Sequence, residues 1–463
     1  MNDRSPTRVA VIGGGLAGLT AAFELTRSGV DYQLYEASSR FGGKVWSSPV
    51  GDRIVDAGAD TFLARVPEGR ELCEQLGLAD QLTSPIAPVP AYIHRAGRLH
   101  PLPRGTVLGV PTDLAALAES GLISPESMAV VAAEPSLPPT SLAGDISVGA
   151  YFRERLGDEV TERLIDPMIG GINASDIDRL SLRSASPQIA AVAAAHRSIL
   201  EGLRLARSSV GATLGSAVDE PVFYGLPGGI ARIIDGLVGA LDPALLHLQA
   251  APDMADVAAD RIIIATPAPA ASRLLADISP TASRLLAEID YASVAQVSVE
   301  FDDEAVRPVL DASGILFPRV DGMILTACTW FSTKWAHYQR PGRLLLRLTS
   351  GRYGDTRALA LDDETLIATL LGEVQYVLDI TGEPCAVRVQ RWVDALPQYV
   401  PGHAERVDAI EAALAREAPH VTLAGAAYRG IGIPATIASG RLAARKAAAT
   451  AAGIDTAAGT GAT

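Results

Sequence analysis

The chain has 463 residues, of which 48% are hydrophobic and 20% are charged. This length exceeds the roughly 250–300 residues at which single hydrophobic cores stop growing, so it predicts two or three domains. The apolar content is sufficient for packed cores, which excludes a chain that is disordered throughout. The 53 acidic and 39 basic residues give a net charge of −14, which argues against a general nucleic-acid-binding protein because phosphate binding needs a positive field.

The cysteine and histidine patterns exclude further classes. Cys73, Cys328 and Cys385 lie too far apart for a metal-binding spacing or a disulfide framework. The seven histidines include no HExxH-type metal pair. The N-terminus lacks the features of a signal peptide, and no segment reaches the roughly 18 apolar residues that span a bilayer. We therefore expect a cytoplasmic protein without stable membrane insertion and without a bound metal.

The first 36 residues predict a βαβ unit. The β-branched residues at 8–12 predict a strand, the glycines at 13–18 a tight turn, and the apolar spacing of three and four over 16–28 a helix. A second strand is expected at 31–36. The chain therefore begins with an α/β domain.

The middle of the chain indicates an inserted helical lobe. A mostly helical stretch extends to about Arg207, and within it Pro187 precedes a single predicted helical stripe formed by Ile189, Val192, Ile199, Leu200 and Leu203. A Ser- and Gly-rich connection at 208–216 then leads to a predicted helix around 230–241, where the first domain resumes.

The C-terminal half predicts a second lobe and a return to the first domain. The short apolar run at 261–266 is typical of a strand buried in a parallel sheet. Alternating polar and apolar residues at 294–301 and 343–349 predict an antiparallel sheet. A strand at 421–424 and a helix at 433–449 complete the first domain.

The turn between the first strand and helix carries the strongest functional signal. Gly13 allows a tight turn, Gly15 lets a diphosphate approach the helix N-terminus, and Gly18 lets helix and strand pack closely. Glu36 ends the second strand 18 residues after Gly18, where a carboxylate accepts hydrogen bonds from an adenosine ribose. Its charge disfavours the 2′-phosphate of NADP. These residues predict a dinucleotide-binding turn, and a purely structural glycine turn is the alternative.

Later glycine clusters favour FAD over NAD. A second glycine pair lies within 40–44 and is followed by 56–61, which suits a cofactor that extends deep into the protein. Near the C-terminus, glycines at 425–432 precede a helix with Pro434 at its start. The N-terminus of that helix would face the flavin pyrimidine edge and stabilise the anionic reduced form. Ordinary turns and a plain helix cap are the alternatives.

These motifs, together with others spread over almost the whole chain, resemble the FAD-dependent protoporphyrinogen/coproporphyrinogen oxidase family within the monoamine-oxidase-like flavoprotein group. Residues 13–18, 36–37 and 40–44 are marks of the wider group. The narrower marks of the family are 58–63, 102–105, 109–112, 166–172 with 180–182, 228–229, Trp392 with 397–399 and 402–403, and 428–434. Their order and spacing make a chance similarity improbable.

The resemblance implies both the fold and the cofactor site. The fold class is α/β, with a Rossmann-like FAD-binding domain built from discontinuous segments, an α+β substrate lobe and a helical lobe. The residues that match the family's FAD-binding motifs are Gly13, Gly14, Gly15, Leu16, Ala17 and Gly18 for the pyrophosphate, Glu36 and Ala37 for the adenosine ribose, Lys44, Gly58, Ala59, Asp60 and Thr61 for the ribityl chain and ring, and Trp392, Ile431, Gly432 and Ile433 for the rest of the flavin site.

The same resemblance implies the domain limits. The FAD-binding domain is expected at 1–98, 216–290 and 399–450, the helical lobe at 99–215, the substrate-binding lobe at 291–398, and a disordered tail at 451–463. Relatives carry a small β-meander where this chain has only the Ala- and Asp-rich residues 248–260. This shorter segment predicts weaker contacts to adenine and weaker FAD binding.

The implied activity is the oxygen-dependent oxidation of a porphyrinogen to a porphyrin in haem biosynthesis. Six hydrogens leave the macrocycle in three two-electron steps, each with the flavin as hydride acceptor, O₂ as final oxidant and hydrogen peroxide as product. Catalytic residues stay unassigned, because the flavin supplies the chemistry and no acid/base pair stands out. Coproporphyrinogen III is favoured over protoporphyrinogen IX because its four propionates make it more water-soluble. A flavin amine oxidase or desaturase-like enzyme and a non-catalytic flavin- or porphyrin-binding protein are the alternatives.

A tetra-anionic substrate needs local cations on a chain of net charge −14. Arg65 follows the element at 62–63 that is expected near the flavin ring, so it is the leading candidate anchor. Lys334 in the second lobe is a weaker candidate, and a solvated surface charge is the alternative for both. The expected partners are the porphyrinogen and O₂ without nucleic acid, and a transient contact with a downstream haem-pathway enzyme is left open.

Overall fold

The computed structural model describes residues 8–87, 89–213, 221–307 and 310–451. The strands are β1 (Arg8–Ile12), β2 (Asp31–Glu36), β3 (Ser47–Val50), β4 (Arg53–Asp56), β5 (Phe62–Leu63), β6 (Tyr92–Arg95), β7 (Arg98–Pro101), β8 (Thr106–Val107), β9 (Val110–Pro111), β10 (Phe223–Tyr224), β11 (Leu246–Leu248), β12 (Arg261–Ile264), β13 (Tyr291–Asp302), β14 (Gly314–Leu316), β15 (Leu325–Trp330), β16 (Arg343–Ser350), β17 (Ala386–Pro397) and β18 (Val421–Leu423).

The helices are α1 (Leu16–Arg27), α2 (Pro67–Gln75), α3 (Leu114–Ser120), α4 (Pro125–Ala133), α5 (Val148–Leu156), α6 (Asp158–Val160), α7 (Gly171–Asn173), α8 (Leu182–Ala185), α9 (Pro187–Ala195), α10 (Ile199–Thr213), α11 (Arg232–Gly239), α12 (Ala268–Leu274), α13 (Pro280–Ala287), α14 (Phe331–Lys334), α15 (Asp363–Val377), α16 (His403–Glu417) and α17 (Ile433–Ala451). A π-helix spans Thr161–Gly170. Apart from Ala451, the tail expected at 451–463 lies outside the described residues, as do residues 214–216 of the predicted connection.

A five-stranded parallel sheet forms the centre of the first domain, in the order β11-β2-β1-β12-β18. The central strands β1 and β12 are short apolar runs because α1 and α17 cover one face of the sheet while α12, α13 and α16 cover the other. β1 lies between β2 and β12, so the connections leave its carboxyl end toward opposite sides. Doubly wound sheets bind their ligands at this point.

A second, seven-stranded sheet has the order β17-β13-β16-β15-β14-β6-β7. It forms the lobe that the sequence analysis expects to bind the substrate, and it is called the substrate lobe below for that reason. The antiparallel pairing of β13 with β16 and β17 agrees with the alternation in the sequence. The boundary predicted at residue 98 differs from the structure, because β6 and β7 form the far edge of this sheet. Tyr92 and Leu99 pack against the core of this sheet, and that packing outweighs their position next to the first FAD-binding segment in the sequence.

The helical lobe corrects two predictions of the sequence. The single stripe after Pro187 is broken, because α9 ends at Ala195 and α10 begins at Ile199. Ser198 causes the break: its hydroxyl accepts a hydrogen bond from the Glu201 amide at 3.1 Å and so caps the new helix. α10 then continues to Thr213, so residues 208–213 of the predicted connection are helical.

The short segment at 248–260 contains one 3-10 turn (Met254–Asp256), and none of the residues from 249 to 260 lies in a strand. Its first residues attach to the end of β2. The amide of Gln249 donates to the Ser38 carbonyl at 3.0 Å, and the amide of Ala250 donates to the Glu36 carbonyl at 2.9 Å. The segment therefore closes the sheet edge next to the expected ribose carboxylate without a meander.

A buried ion pair holds the helical lobe together. Glu134 and Arg155 are almost completely buried, and the Arg155 Nε donates to Glu134 at 2.8 Å. Glu134 also accepts hydrogen bonds from the Ser198 hydroxyl and, at 3.0 Å, from the Ile199 amide. The carboxylate thus fixes both the arginine and the start of α10.

We predict that Glu134→Ala lowers the free energy of unfolding by about 3–5 kcal/mol, because it leaves the Arg155 guanidinium buried without a counter-charge. Urea unfolding followed by circular dichroism measures the change. The matched control Glu119→Ala removes an exposed carboxylate of the same lobe and should change stability by less than about 0.5 kcal/mol. Equal effects of the two substitutions would contradict the role of the pair.

Candidate cofactor and substrate site

The glycine turn joins β1 to α1 at distances that only glycine permits. Gly13 has φ +109°, and a Cβ on it would lie 2.8 Å from the Ala265 carbonyl. A Cβ on Gly18 would lie 1.9 Å from the Gly13 oxygen. The backbone of the helix therefore rests directly on the turn, and α1 begins at the carboxyl end of β1.

Gly15 differs from these two glycines because its backbone does not require glycine. Its φ of −76° is open to any residue, and a Cβ on it would have the Gly43 Cα, at 3.9 Å, as its nearest neighbour. The space above Gly15 lies at the N-terminus of α1, where the first amides of a helix have no carbonyl partner within it. Leu16 and Ala17 provide these amides. Open space next to N–H groups that have no partner within the helix fits a diphosphate.

The Glu36 carboxylate lies beside this turn and keeps acceptor capacity. One oxygen accepts the Gly14 amide at 2.7 Å, and the other accepts the Ser38 amide at 2.8 Å. A carboxylate has about four lone-pair sites, so two remain for ribose hydroxyls. Ala37, the next residue, is exposed at the same edge.

The second glycine pair packs against the first. The Gly42 amide donates to the Gly14 carbonyl at 2.8 Å, and Gly42 and Gly43 have φ values of +102° and +55°. Lys44 follows, and its ammonium donates to the Ala395 carbonyl and lies 5.3 Å from the centre of the Tyr291 ring. Surrounding protein atoms desolvate this ammonium and lower the pKa of Lys44 to about 8. The structure thus places residues 13–15 and 42–44 side by side, where they form one wall of the expected cofactor site.

Residues 58–61 form the wall between the first domain and the substrate lobe. The Trp392 indole N–H donates to the Ala57 carbonyl at 2.6 Å, and its ring would be 3.6 Å from a Cβ on Gly58. The Arg347 guanidinium donates to the Gly58 carbonyl at 2.7 Å. Two side chains of the second lobe therefore fix the backbone that the sequence assigns to the flavin.

The side chain of Asp60 is buried among cations instead of facing the cleft. Its carboxylate lies 2.6 Å from the Lys334 ammonium and 3.0 Å from the Arg347 guanidinium, and it accepts the Trp335 indole N–H at 3.2 Å. Burial alone would raise the pKa of Asp60, but Lys334 and Arg347 outweigh it and lower the pKa. Sequence reasoning missed Arg347 and Trp335. An arginine within the apolar run of β16 was the available signal.

Asp56, four residues earlier, has the opposite electrostatics. It accepts hydrogen bonds from the Ser47 hydroxyl at 2.7 Å and the Ile230 amide at 2.8 Å. Burial, together with the nearby Asp60 charge, raises the pKa of Asp56 to about 6. Asp56 at the end of β4 and Asp60 in the following loop therefore have pKa values shifted in opposite directions.

The segment Ile431-Gly432-Ile433 leads into α17. Ile431 packs against the core of the helical lobe, and Ile433 is buried in the core of the first domain. Gly432 is exposed, and a Cβ on it would meet only Pro434 at 3.8 Å. The start of α17 therefore lies between the helical lobe and the first domain, and Gly432 leaves open space there.

The two candidate substrate anchors have different surroundings. Arg65 is exposed and donates to the Gln188 side chain of α9, and no carboxylate of the described residues pairs with it. The Lys334 side chain is mostly buried against Asp60. The two cations therefore have different partners, a neutral amide for Arg65 and a carboxylate for Lys334.

None of the described helices combines the length and the apolar character that a bilayer crossing requires. Among the described residues, no group of three or more His, Cys, Asp or Glu side chains is arranged to hold a metal ion.

Comparison with known proteins identifies the family. The model of the flavin containing amine oxidoreductases matches residues 16–448. The chain belongs to this family. Like other members it is an FAD-dependent oxidoreductase, and the open space at Gly15 and the free lone pairs of Glu36 fit that cofactor.

Curated relatives cover nearly the full length of this flavin oxidoreductase. The coproporphyrinogen III oxidase of Bacillus subtilis is 33% identical in an alignment of 456 positions that covers 94% of this chain and 96% of that protein. The coproporphyrinogen III oxidase of Staphylococcus aureus is 28% identical, with coverage of 95% and 98%. Protoporphyrinogen oxidase 2 of Arabidopsis thaliana is 27% identical, with coverage of 94% and 92%.

Solved structures agree on the architecture. A candidate protoporphyrinogen oxidase from Exiguobacterium sp. 255-15 has a TM-score of 0.83 and 31% identity, and the match covers 95% of this chain and 98% of that chain. Cyclohexylamine oxidase from Brevibacterium oxydans has a TM-score of 0.65 at 18% identity, with coverage of 97% and 99%. The second similarity shows the shared fold alone.

We predict that Gly15→Ala raises the dissociation constant for FAD by about 10- to 100-fold, because the methyl group enters the space expected for the pyrophosphate. The apoprotein should keep its melting temperature, since the backbone at Gly15 accepts any residue. Gly18→Ala is the matched comparison and should lower the stability of the apoprotein itself. Unchanged FAD affinity in Gly15→Ala would contradict the assignment of this turn.

We predict that Asp56 makes stability fall as the pH rises through about 6, because the folded state binds a proton that the unfolded state releases near 3.8. Asp56→Asn removes this contribution, so its stability relative to the wild type should rise by up to about 3 kcal/mol between pH 4 and pH 7. Urea unfolding of the apoproteins at the two pH values measures it. The exposed Asp31→Asn is the control, and a wild-type pH profile in Asp56→Asn would refute the prediction.

Proposed function

We propose that this flavin oxidoreductase oxidises coproporphyrinogen III to coproporphyrin III in haem biosynthesis. The observation that supports this proposal most directly is the similarity to coproporphyrinogen III oxidases over 93% or more of the chain, at up to 34% identity. The similarity to a protoporphyrinogen oxidase is lower, at 27% identity. This difference favours the four-propionate substrate.

The reaction removes six hydrogens from the macrocycle, so three O₂ are reduced to three hydrogen peroxide for each porphyrin formed. Bound FAD supplies the two-electron chemistry, which accepts hydride from carbon and passes the electrons to O₂. The chain's own task is to bind and orient. We assign the pyrophosphate to the α1 N-terminus with residues 13–18, the ribose to Glu36 and Ala37, and the ribityl chain and ring to Lys44 and 58–61.

Trp392 and residues 431–433 complete the proposed flavin site from opposite sides. Trp392 is fixed by its hydrogen bond to Ala57, so its ring supports the backbone at Gly58. We place the pyrimidine edge at the α17 N-terminus, where the positive end of the helix dipole stabilises an anion. Gly432 leaves space for that approach. No side chain is assigned as a catalytic acid or base.

Arg65 is the proposed main anchor for a substrate propionate. Its guanidinium is exposed, its contact in the described structure is the neutral Gln188 amide, and planar guanidinium pairs carboxylates bidentately. Lys334 is proposed as a secondary contact, because an ammonium has three donors and Asp60 takes one of them. The neutral partner makes Arg65 the better candidate, since a propionate meets no competing carboxylate there.

The short segment at 248–260 bears on the adenine end of the cofactor. Its backbone is used in hydrogen bonds to Ser38 and Glu36, and we propose that it binds adenine weakly. Transplanting the meander of a longer relative should then slow FAD loss on dialysis.

The alternative function is that of a non-catalytic protein that binds flavin or porphyrin. Such a protein would keep its ligand and produce no porphyrin.

Turnover of three candidate substrates tests which of them this protein oxidises. Purified protein with FAD is mixed with coproporphyrinogen III, protoporphyrinogen IX or an aliphatic amine, and porphyrin fluorescence and hydrogen peroxide are recorded. The proposal expects the highest kcat/KM with coproporphyrinogen III and three hydrogen peroxide for each porphyrin. A preference for protoporphyrinogen IX overturns the substrate assignment, and turnover of the amine alone identifies an amine oxidase.

We place the reaction in the cytoplasm. Recovery of the protein in the membrane pellet at physiological salt would contradict that placement.

We predict that Arg65→Ala lowers kcat/KM for coproporphyrinogen III by roughly 10- to 150-fold while the FAD content stays normal, because a charge-assisted contact to a propionate is lost. The matched control is Arg70→Ala, which removes an exposed arginine of α2 that pairs with Glu74. It should leave kcat/KM within about twofold of the wild type, since exposed pairs contribute little. Equal kinetics of the two variants would remove Arg65 from the substrate site.

A further inference from the structure

The loop that precedes α17 is held by two stacked aromatic side chains of another segment. The Tyr399 hydroxyl donates to the Ala426 carbonyl at 2.6 Å and accepts the Gly430 amide at 2.8 Å. One side chain thus bridges residues 426 and 430 of the loop. Tyr399 is 3% exposed, so both hydrogen bonds are shielded from water.

His403 supports Tyr399 and contacts the same loop. The two rings are stacked, with centroids 4.0 Å apart and an angle of 15° between their planes. The His403 Nε2 lies 2.9 Å from the Tyr428 carbonyl, which can only accept, so Nε2 carries the proton. Burial lowers the pKa of His403, and the nearby Arg406 and Arg429 act in the same direction, so the ring is neutral. The Nε2–H donor is therefore fixed.

A third contact ties the remaining part of the loop to the same helix. The Arg429 guanidinium lies 2.8 Å from both Asp408 and Glu411 of α16. Residues 426, 428, 429 and 430 of the loop are thus all contacted by Tyr399 or by side chains of α16. Gly430 has φ +143°, and a Cβ on it would lie 2.6 Å from Ala435 in the first turn of α17, so a shift of the loop moves the helix start.

We propose that Tyr399 and His403 are positioning residues that fix the N-terminus of α17 and thereby set the reduction potential of the bound flavin. This proposal rests on the placement of the pyrimidine edge at α17 proposed above. The dipole of α17 favours the anionic reduced flavin over the neutral oxidised one, and that preference depends on a short distance. A displaced helix start therefore weakens binding of reduced flavin more than binding of oxidised flavin.

The same segment is also tied to the helical lobe. The Tyr399 carbonyl accepts the Ser181 amide at 2.7 Å, and the Gly402 amide donates to Asp145 at 3.0 Å. The Ser181 hydroxyl donates to the Asp145 carboxylate, with its oxygen 2.7 Å and 2.8 Å from the two carboxylate oxygens. The position of Tyr399 is thus fixed from the side opposite the loop as well, which is what a positioning residue requires.

The test uses the FAD-loaded full chain and measures the flavin midpoint potential by equilibration with a redox dye, together with the dissociation constant of oxidised FAD. Tyr399→Phe keeps the stacked ring and removes both hydrogen bonds. We expect the ratio of the dissociation constants of reduced and oxidised flavin to rise about 2- to 10-fold, which makes the potential of a two-electron couple about 10–30 mV more negative. His403→Phe should shift it in the same direction, and His403→Gln, which keeps a donor for the Tyr428 carbonyl, should restore part of the shift.

The control is Tyr92→Phe, which removes a hydroxyl that hydrogen-bonds Asp311 at 3.0 Å in the substrate lobe, and it should leave the potential unchanged. A lower melting temperature with an unchanged potential in Tyr399→Phe would overturn the proposal and leave a structural role. If Tyr399→Phe does not fold, His403→Phe decides by the same measurement.

Gly432→Asp separates this proposal from the flavin placement on which it rests. The substitution puts a carboxylate at the start of α17, so it should make the potential more negative whatever Tyr399 does. An unchanged potential in Gly432→Asp refutes the placement. A shift in Gly432→Asp without a shift in Tyr399→Phe or His403→Phe refutes the positioning role alone.

Discussion

The close contact between the backbone of α1 and the turn after β1 is the constraint on which the rest of the cofactor site depends. Gly18 lies directly on the Gly13 carbonyl, so the first turn of α1 meets the carboxyl end of the central strand. The other elements of the site are placed relative to this turn. Gly42 hydrogen-bonds Gly14, and Gly440 of α17 has no room for a Cβ, which would lie 2.3 Å from the Ala17 carbonyl. Two helix N-termini are thus brought to one edge of the sheet, where an anionic cofactor is favoured.

A group of buried charged side chains connects the first domain to the substrate lobe. Asp60 projects from the first domain into that lobe and is held between Lys334 and Arg347. Isolated buried ion pairs contribute little net stability, because desolvation offsets their attraction. The contribution of this pair is to orient groups. Arg347 also donates a hydrogen bond to the Gly58 carbonyl, so the pair fixes the backbone beside the expected flavin ring.

The helical lobe reaches the cofactor region through polar contacts. Ser181 and Asp145 hold the segment that carries Tyr399, and Tyr399 holds the loop before α17. Ile431 adds an apolar contact between that loop and the core of the lobe. A short series of hydrogen bonds therefore connects the helical lobe, through the segment that carries Tyr399, to the loop before α17.

The sequence by itself determined the features that depend on neighbours in the chain. The turn at 13–18, the strands at 8–12 and 31–36 and the position of Glu36 follow from glycine geometry and apolar periodicity within a few residues, and they were sufficient to predict a dinucleotide site. Motifs spread over the chain extended this to FAD and to the family.

Only the tertiary structure decided the contacts between distant segments. Asp60 meets Lys334 and Arg347 across 274 and 287 residues of chain, and Tyr399 meets Gly430 across 31. Strand β6 joins the substrate lobe, and Ser198 divides a stripe that periodicity reads as one helix. Such pairings depend on which faces pack together in three dimensions. Local propensity and spacing contain no information about that packing, so the sequence predicted a cofactor site, while the fold decided which distant residues contact its segments.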